Sequence, residues 1–168
     1  GGVHEAGYPP FNASPLQCLF FDELEQATFV AASKRGPLTK SGRALTKIRE
    51  RLVRAEAKFC DLELTYLELV YAADTSLFAV QKALAGLDFI AWRRKPERLD
   101  ARSRKRLALR LATLADEQVL LAGRLRRLWR RRNAVSNLDR SDRRVKKSVR
   151  SLRRAAHSLE CNRPSPPP

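Results

Sequence analysis

The residues best equipped for chemistry are arginines. Arg124, Arg126, Arg127, Arg130, Arg131 and Arg132 crowd residues 124–132, and Lys146, Lys147, Arg150, Arg153 and Arg154 follow shortly after. The dipole of a helix C-terminus favours one or two cations, not six. Such clustering suits phosphate contacts, so Arg130, Arg131, Arg143, Lys146, Lys147, Arg150 and Arg154 form a candidate polyanion-binding set. Aromatic residues are not interleaved among them. Only Trp129 is near, and it sits beside a leucine seam. Base stacking is therefore not indicated, and binding would be backbone-directed, salt-sensitive and nonspecific. The plainer alternative is a set of solvated helix faces, since arginine is a good helix former.

Other groups offer less. Carboxylates gather at Asp22, Glu23 and Glu25, and again at Glu63 and Glu68. Glycoside hydrolysis needs two carboxyls about 5–9 Å apart across a sugar-sized cleft. A slim helical bundle rarely offers one, so these acids are expected to pair with the excess arginine. His4 lies in an irregular start and His157 in the last turn of a basic helix, so each reads as structural or exposed rather than catalytic. There is no P-loop, GxGxxG or HExxH, and Cys18, Cys60 and Cys161 show no zinc spacing. No catalytic, metal-binding or cofactor-binding residue is assigned. Three widely spaced cysteines do not form a disulfide framework, and Cys18 and Cys60 read as small core hydrophobes.

The charge is segregated along the 168 residues. Residues 1–90 carry 10 basic and 11 acidic side chains, whereas residues 91–168 carry 24 and 7. The second half is a polycation on a neutral first half, a field that would attract nucleic acid, anionic lipid or an acidic protein. No apolar run reaches the roughly 18–20 residues that span a bilayer. The chain begins at Gly1 and contains no methionine, which reads as a processed chain or, in preference, the end of a longer polypeptide.

The elements that must position these groups are helices. Glycine is scarce, and six of the nine prolines lie at the ends. Residues 1–15 read as an irregular connector from a preceding domain, 16–160 as a helical bundle and 161–168 as a flexible, proline-rich tail. Ser14-Pro15 suits a helix start, and a first helix is expected from Leu16 to Ser33, ended by Gly36-Pro37. A second starts near Thr39 or Ser41, with a narrow seam of Leu45, Ile48, Leu52, Ala55, Phe59 and Leu62. A break near Cys60-Asp61 is expected before a more apolar third helix over residues 61–86. Gly86 to Asp100 reads as a connector stopped by Lys95-Pro96, with Phe89, Ile90 and Trp92 anchoring it. The fourth helix spans about Asp100 to Arg132. Its heptad seam of Leu107, Leu111, Leu114, Leu121, Leu125 and Leu128 is interrupted by Gln118. A turn at residues 133–137 leads to a fifth helix ending near Leu159, with Arg143, Arg144, Lys147, Arg150 and Arg154 opposite its apolar face. The expected fold is an all-α antiparallel bundle of four to five helices.

The corner between the last two helices reads Leu128-Trp129-Arg130-Arg131-Arg132-Asn133-Ala134-Val135-Ser136-Asn137-Leu138-Asp139-Arg140-Ser141. It resembles the helical C-terminal region of bacterial family-20-like glycoside hydrolases, the β-N-acetylhexosaminidase relatives. The matching positions are Leu128, Trp129, Arg132, Asn133, Leu138, Asp139 and Ser141. Arg130 stands where an apolar residue is usual, Val135 replaces proline and Asn137 replaces glycine. The last change is mild, because asparagine also tolerates a positive φ. GGVHEAGYPPFNAS would then be the end of a preceding barrel. The resemblance implies a noncatalytic accessory domain packed against a catalytic barrel, so the family's catalytic acids fall outside this chain. It also implies an apolar patch on the first and third helices, where that barrel would dock. Two further readings stand beside it: a basic module holding RNA, DNA or another polyanion, and an assembly bundle docking an acidic protein.

Overall fold

The computed structural model describes residues 15–26, 28–132 and 138–163, and among these the chain is all-α. Six helices follow one another: α1 (Pro15–Phe21), α2 (Thr28–Ala32), α3 (Arg35–Arg54), α4 (Glu63–Arg94), α5 (Ala101–Arg132) and α6 (Leu138–Glu160). Short 3-10 turns at Glu56–Phe59 and Pro96–Arg98 flank α4. No described helix is long and apolar enough to cross a membrane.

Ion pairs between successive long helices give their direction. Arg35 pairs with Asp88 and Arg49 with Asp74, so α3 and α4 run antiparallel. Glu63 meets Arg131 and Asp74 meets Arg124, which sets α4 against α5 in the same sense. Asp116 meets Arg153 and Arg126 meets Asp142, which reverses α6 on α5. The expected antiparallel bundle is therefore the fold. Its core lies where α1, α4, α5 and α6 converge, around Phe20, Phe78, Leu111 and Leu152. Phe20 and Phe78 pack edge to face, 5.2 Å between centroids.

The expected first helix is two helices. The chain turns at residues 22–26 because Asp22 points inward, and its carboxylate accepts from the backbone N–H groups of Phe29 and Val30 at 3.1 and 2.9 Å. Gly36-Pro37 opens α3 instead of ending the first helix. The first bond within α3 runs from the Leu38 N–H to the Lys34 carbonyl at 3.2 Å, so the N–H that Pro37 lacks has no partner to lose. The seam of α3 is only partly covered: Leu45 and Leu52 are half-buried, and Ile48 and Leu62 are exposed.

The expected break at residues 60–61 is present, since residues 55–62 separate α3 from α4. Cys60 sits there exposed rather than in the core, its thiol donating to the Ala57 carbonyl. Gly86 does not open a connector. It lies inside α4, where Leu24 and Val30 press so closely that a Cβ would meet them at 2.8 and 2.9 Å. A close approach of α2 to α4 thus explains this glycine better than helix ending does. Helix α4 continues to Arg94, which carries Phe89 and Trp92 into the core as helical residues. Asp100 caps α5, accepting from the Ser103 N–H at 2.7 Å, and that bond holds its carboxyl below the usual carboxylate range.

Candidate functional site

The cationic candidates sit mainly on α6. Val145, Val149, Leu152, Ala156 and Leu159 recur at intervals of three and four and are all buried. That pattern turns Arg143, Lys146, Lys147, Arg150 and Arg154 outward, and all five are exposed. At 1.5 Å per residue the stripe from Arg143 to Arg154 is roughly 16 Å long. Asp139, also exposed, lies in the first turn of the helix and suits the positive end of the helix dipole.

Carboxylates have claimed part of the predicted set. Arg131 makes a two-pronged contact with Glu63 at 3.1 and 3.2 Å, which lowers the Glu63 carboxyl below its usual range. Arg154 reaches Glu25, with Nε 2.5 Å from Oε1. Within the wider arginine cluster, Arg124 meets Asp74 at 2.5 Å and Arg126 grips Asp142 through Nε at 3.0 Å. The carboxylates at Glu25 and Glu63 thus pair with arginine as expected. Asp22 does not; it is buried on backbone N–H groups. Among the described residues, Arg130, Arg143, Lys146, Lys147 and Arg150 face no carboxylate within ion-pair distance. Arg130 is exposed near the end of α5. A groove of about 460 Å³ runs between α5 and α6, and Val119, Val149, Lys146 and Arg150 line it.

The family-like corner is described only in part. Leu128 and Trp129 are half-buried on α5, and Arg132 is its last residue. Leu138 opens α6, followed by exposed Asp139 and half-buried Ser141. Asn133 and the rest of the turn at 133–137 lie outside the described residues, as do the connector up to residue 14 and the prolines at the end of the chain. The exposed large apolar side chains match the expected patch only in part: the expected third helix, residues 61–86, carries Leu62 and Leu69, and the expected first helix carries none among the described residues. They lie on α3 (Ile48, Val53), near the start of α4 (Leu62, Leu69) and on α5 (Leu109, Val119, Leu120). The short first helices cannot present an apolar face outward because Leu19, Phe20, Leu24 and Val30 are spent in the core.

Sequence reasoning missed a polar node in the centre of the bundle. Lys82 is 0% exposed. Its Nζ donates to the Phe20 carbonyl at 2.8 Å, the Asp22 carbonyl at 2.6 Å and Ser148 Oγ at 2.6 Å. Ser148 donates onward to Gln118 Oε1 at 3.0 Å, and Gln118 Nε2 donates back to the Phe20 carbonyl at 2.8 Å. Three acceptors around one ammonium match its three protons. Burial lowers the Lys82 pKa to about 7, against the opposing pull of Asp22 and Glu23. Burial likewise raises the Asp22 carboxyl, while the Val30 N–H and Lys82 act the other way. Two signals for this node were present: Lys82 is the one charge between Asp74 and Asp88, and Gln118 interrupts the leucine seam.

The node joins α1, α4, α5 and α6, and every polar atom in it is engaged by its neighbours. Its chemistry is structural: it satisfies the carbonyls left open at the end of α1 and fixes three long helices around them. No group of three or more metal-ligating side chains occurs among the described residues. Comparison with protein-family models, curated proteins and solved structures gives no match.

Proposed function

We propose that this chain is a noncatalytic helical domain that packs against the catalytic barrel of a family-20-like glycoside hydrolase. The observation that carries this reading is the outer face of α5. Opposite its buried seam stand Leu109 and Leu120, 68% and 69% exposed, eleven residues apart and therefore on one side of the helix. On a chain with a net charge of +16, two such leucines suit cover by a neighbouring domain of the same polypeptide. The corner at residues 128–141, which resembles the family, lies at the end of the same helix. Of the face the resemblance first implied, the α1 and α2 part is consumed by the core, while Leu62 and Leu69 on the expected third helix stay exposed.

The test compares two proteins: the full-length gene product and the isolated chain, each with and without Leu109→Glu and Leu120→Glu. Both substitutions lower the melting temperature of the full-length protein and leave that of the isolated chain within about 2 °C. Equal effects in both proteins, or a gene product with no sugar-cleaving domain ahead of Gly1, overturn the reading.

A second reading rests on the carboxylate-free cations of α6. As a polyanion module the chain would hold phosphate backbones along Arg143, Lys146, Lys147 and Arg150. Filter binding to mixed-sequence single-stranded RNA would then weaken steeply with added salt, by about 0.7 log units per phosphate contact for each tenfold rise. Replacing Lys146, Lys147 and Arg150 by glutamine would flatten that slope. No retention at low salt ends this second reading.

A further inference from the structure

Where α4 ends and α5 begins, the chain forms an open cleft of about 590 Å³, the size of a small-molecule site. Its floor is apolar: Trp92, Leu99 and Leu107 line it, and Trp92 and Leu107 are buried. Its rim carries Arg94, Lys95, Arg98, Arg106 and Arg110, all exposed. Among the described residues none of these five meets a carboxylate within ion-pair distance; Arg106 donates to the Ser103 hydroxyl at 3.1 Å and lies in the field of Asp100. The one acid in the lining, Asp88, is already paired with Arg35. The rim is therefore a concentration of positive charge over an apolar floor.

Trp92 supplies a second, independent observation. It is 1% exposed, and its indole N–H is buried with no acceptor. Burying such a donor unpaired costs free energy, and native chains rarely leave one so without a reason. An inorganic ion would satisfy the rim and leave the floor bare, whereas a neutral aromatic would do the reverse.

We propose that this cleft binds a small amphiphilic anion, with an aromatic or alkyl body on Trp92, Leu99 and Leu107 and a phosphate or carboxylate group among Arg98, Arg106 and Arg110. The site lies away from the carboxylate-free stripe of α6, and it stands whether or not either functional reading above does.

The test titrates phenyl phosphate, inorganic phosphate and phenol into the unaltered chain by calorimetry. The same titrations follow Trp92 fluorescence in a Trp129→Phe variant, which leaves Trp92 as the sole indole. Phenyl phosphate is expected to bind saturably, at least tenfold tighter than either fragment, and to change the Trp92 emission. Arg106→Gln with Arg110→Gln, both exposed positions that leave the fold intact, weakens it at least tenfold. The proposal is overturned if phenyl phosphate binds no tighter than inorganic phosphate or phenol, if the double variant binds equally well, or if the Trp92 emission does not respond.

Discussion

Lys82 Nζ lies 2.6 Å from Ser148 Oγ, a contact that spans 66 positions of sequence and ties α4 to α6 through the middle of the bundle. Both residues are fully buried. The pair is anchored by carbonyls of the chain leaving α1, so a short N-terminal helix becomes the hub for three long ones.

The first prediction concerns pH. The unfolded chain holds its lysine protons up to about pH 10.4, whereas burial in the folded state brings Lys82 down to about 7. Between these values the unfolded state binds more protons, so the Lys82 contribution makes stability rise from pH 7 to pH 10 and fall again as pH returns through 7. Urea denaturation at pH 7, 8, 9 and 10 measures it. Lys82→Met should remove most of that slope; an unchanged slope in the variant would place its origin elsewhere.

Gln118 supplies a second test, because two arguments give opposite signs. Heptad reasoning expects Gln118→Leu to complete the seam and stabilise the bundle. The structure expects a loss of about 1–2 kcal/mol, since the Phe20 carbonyl loses a donor and the buried Ser148 hydroxyl loses its acceptor. Denaturant midpoints of the two proteins decide between them, provided the slope with denaturant is unchanged.

Gly86 and Gly123 form a matched pair. Each is a glycine inside a long helix, where alanine is intrinsically better by about 0.5–1 kcal/mol. At Gly123 the only neighbour of a new Cβ is Arg127 Nη1 at 3.8 Å, so Gly123→Ala should stabilise by that amount. At Gly86 the new methyl would strike Leu24 and Val30, and Gly86→Ala should destabilise by about 1–3 kcal/mol despite the better propensity. Thermal melts of both variants check the difference in sign.

Much of the architecture was legible in the residues themselves. The seam Leu107, Leu111, Leu114 and Leu121 is buried as its spacing requires, and Arg143, Lys147, Arg150 and Arg154 of α6 face out because Val145, Val149 and Leu152 face in, whereas Arg144 is half-buried over the Phe21 ring, 4.1 Å from its centroid. Helix periodicity and the stop at Lys95-Pro96 act within a few residues of one another, so the amino-acid order alone determines them. The ends of α5 and α6 also fell close to their expected places.

What lay outside that reach depends on what stands opposite. Whether Asp22 faces water or turns inward to the Phe29 and Val30 N–H groups is settled by α2 folding back over it. Gly86 looked like a helix end until Leu24 and Val30 were brought against it, and the burial of Lys82 follows only from α1, α5 and α6 surrounding it. The same holds for Arg131 and Arg154, whose acids come from distant stretches of chain. Local order therefore determined the helices, their seams and the segregation of charge, because those follow from backbone geometry and side-chain period. Only the tertiary structure decided which polar groups are buried and which cations are already neutralised, because burial and pairing belong to the assembled helices rather than to any one of them.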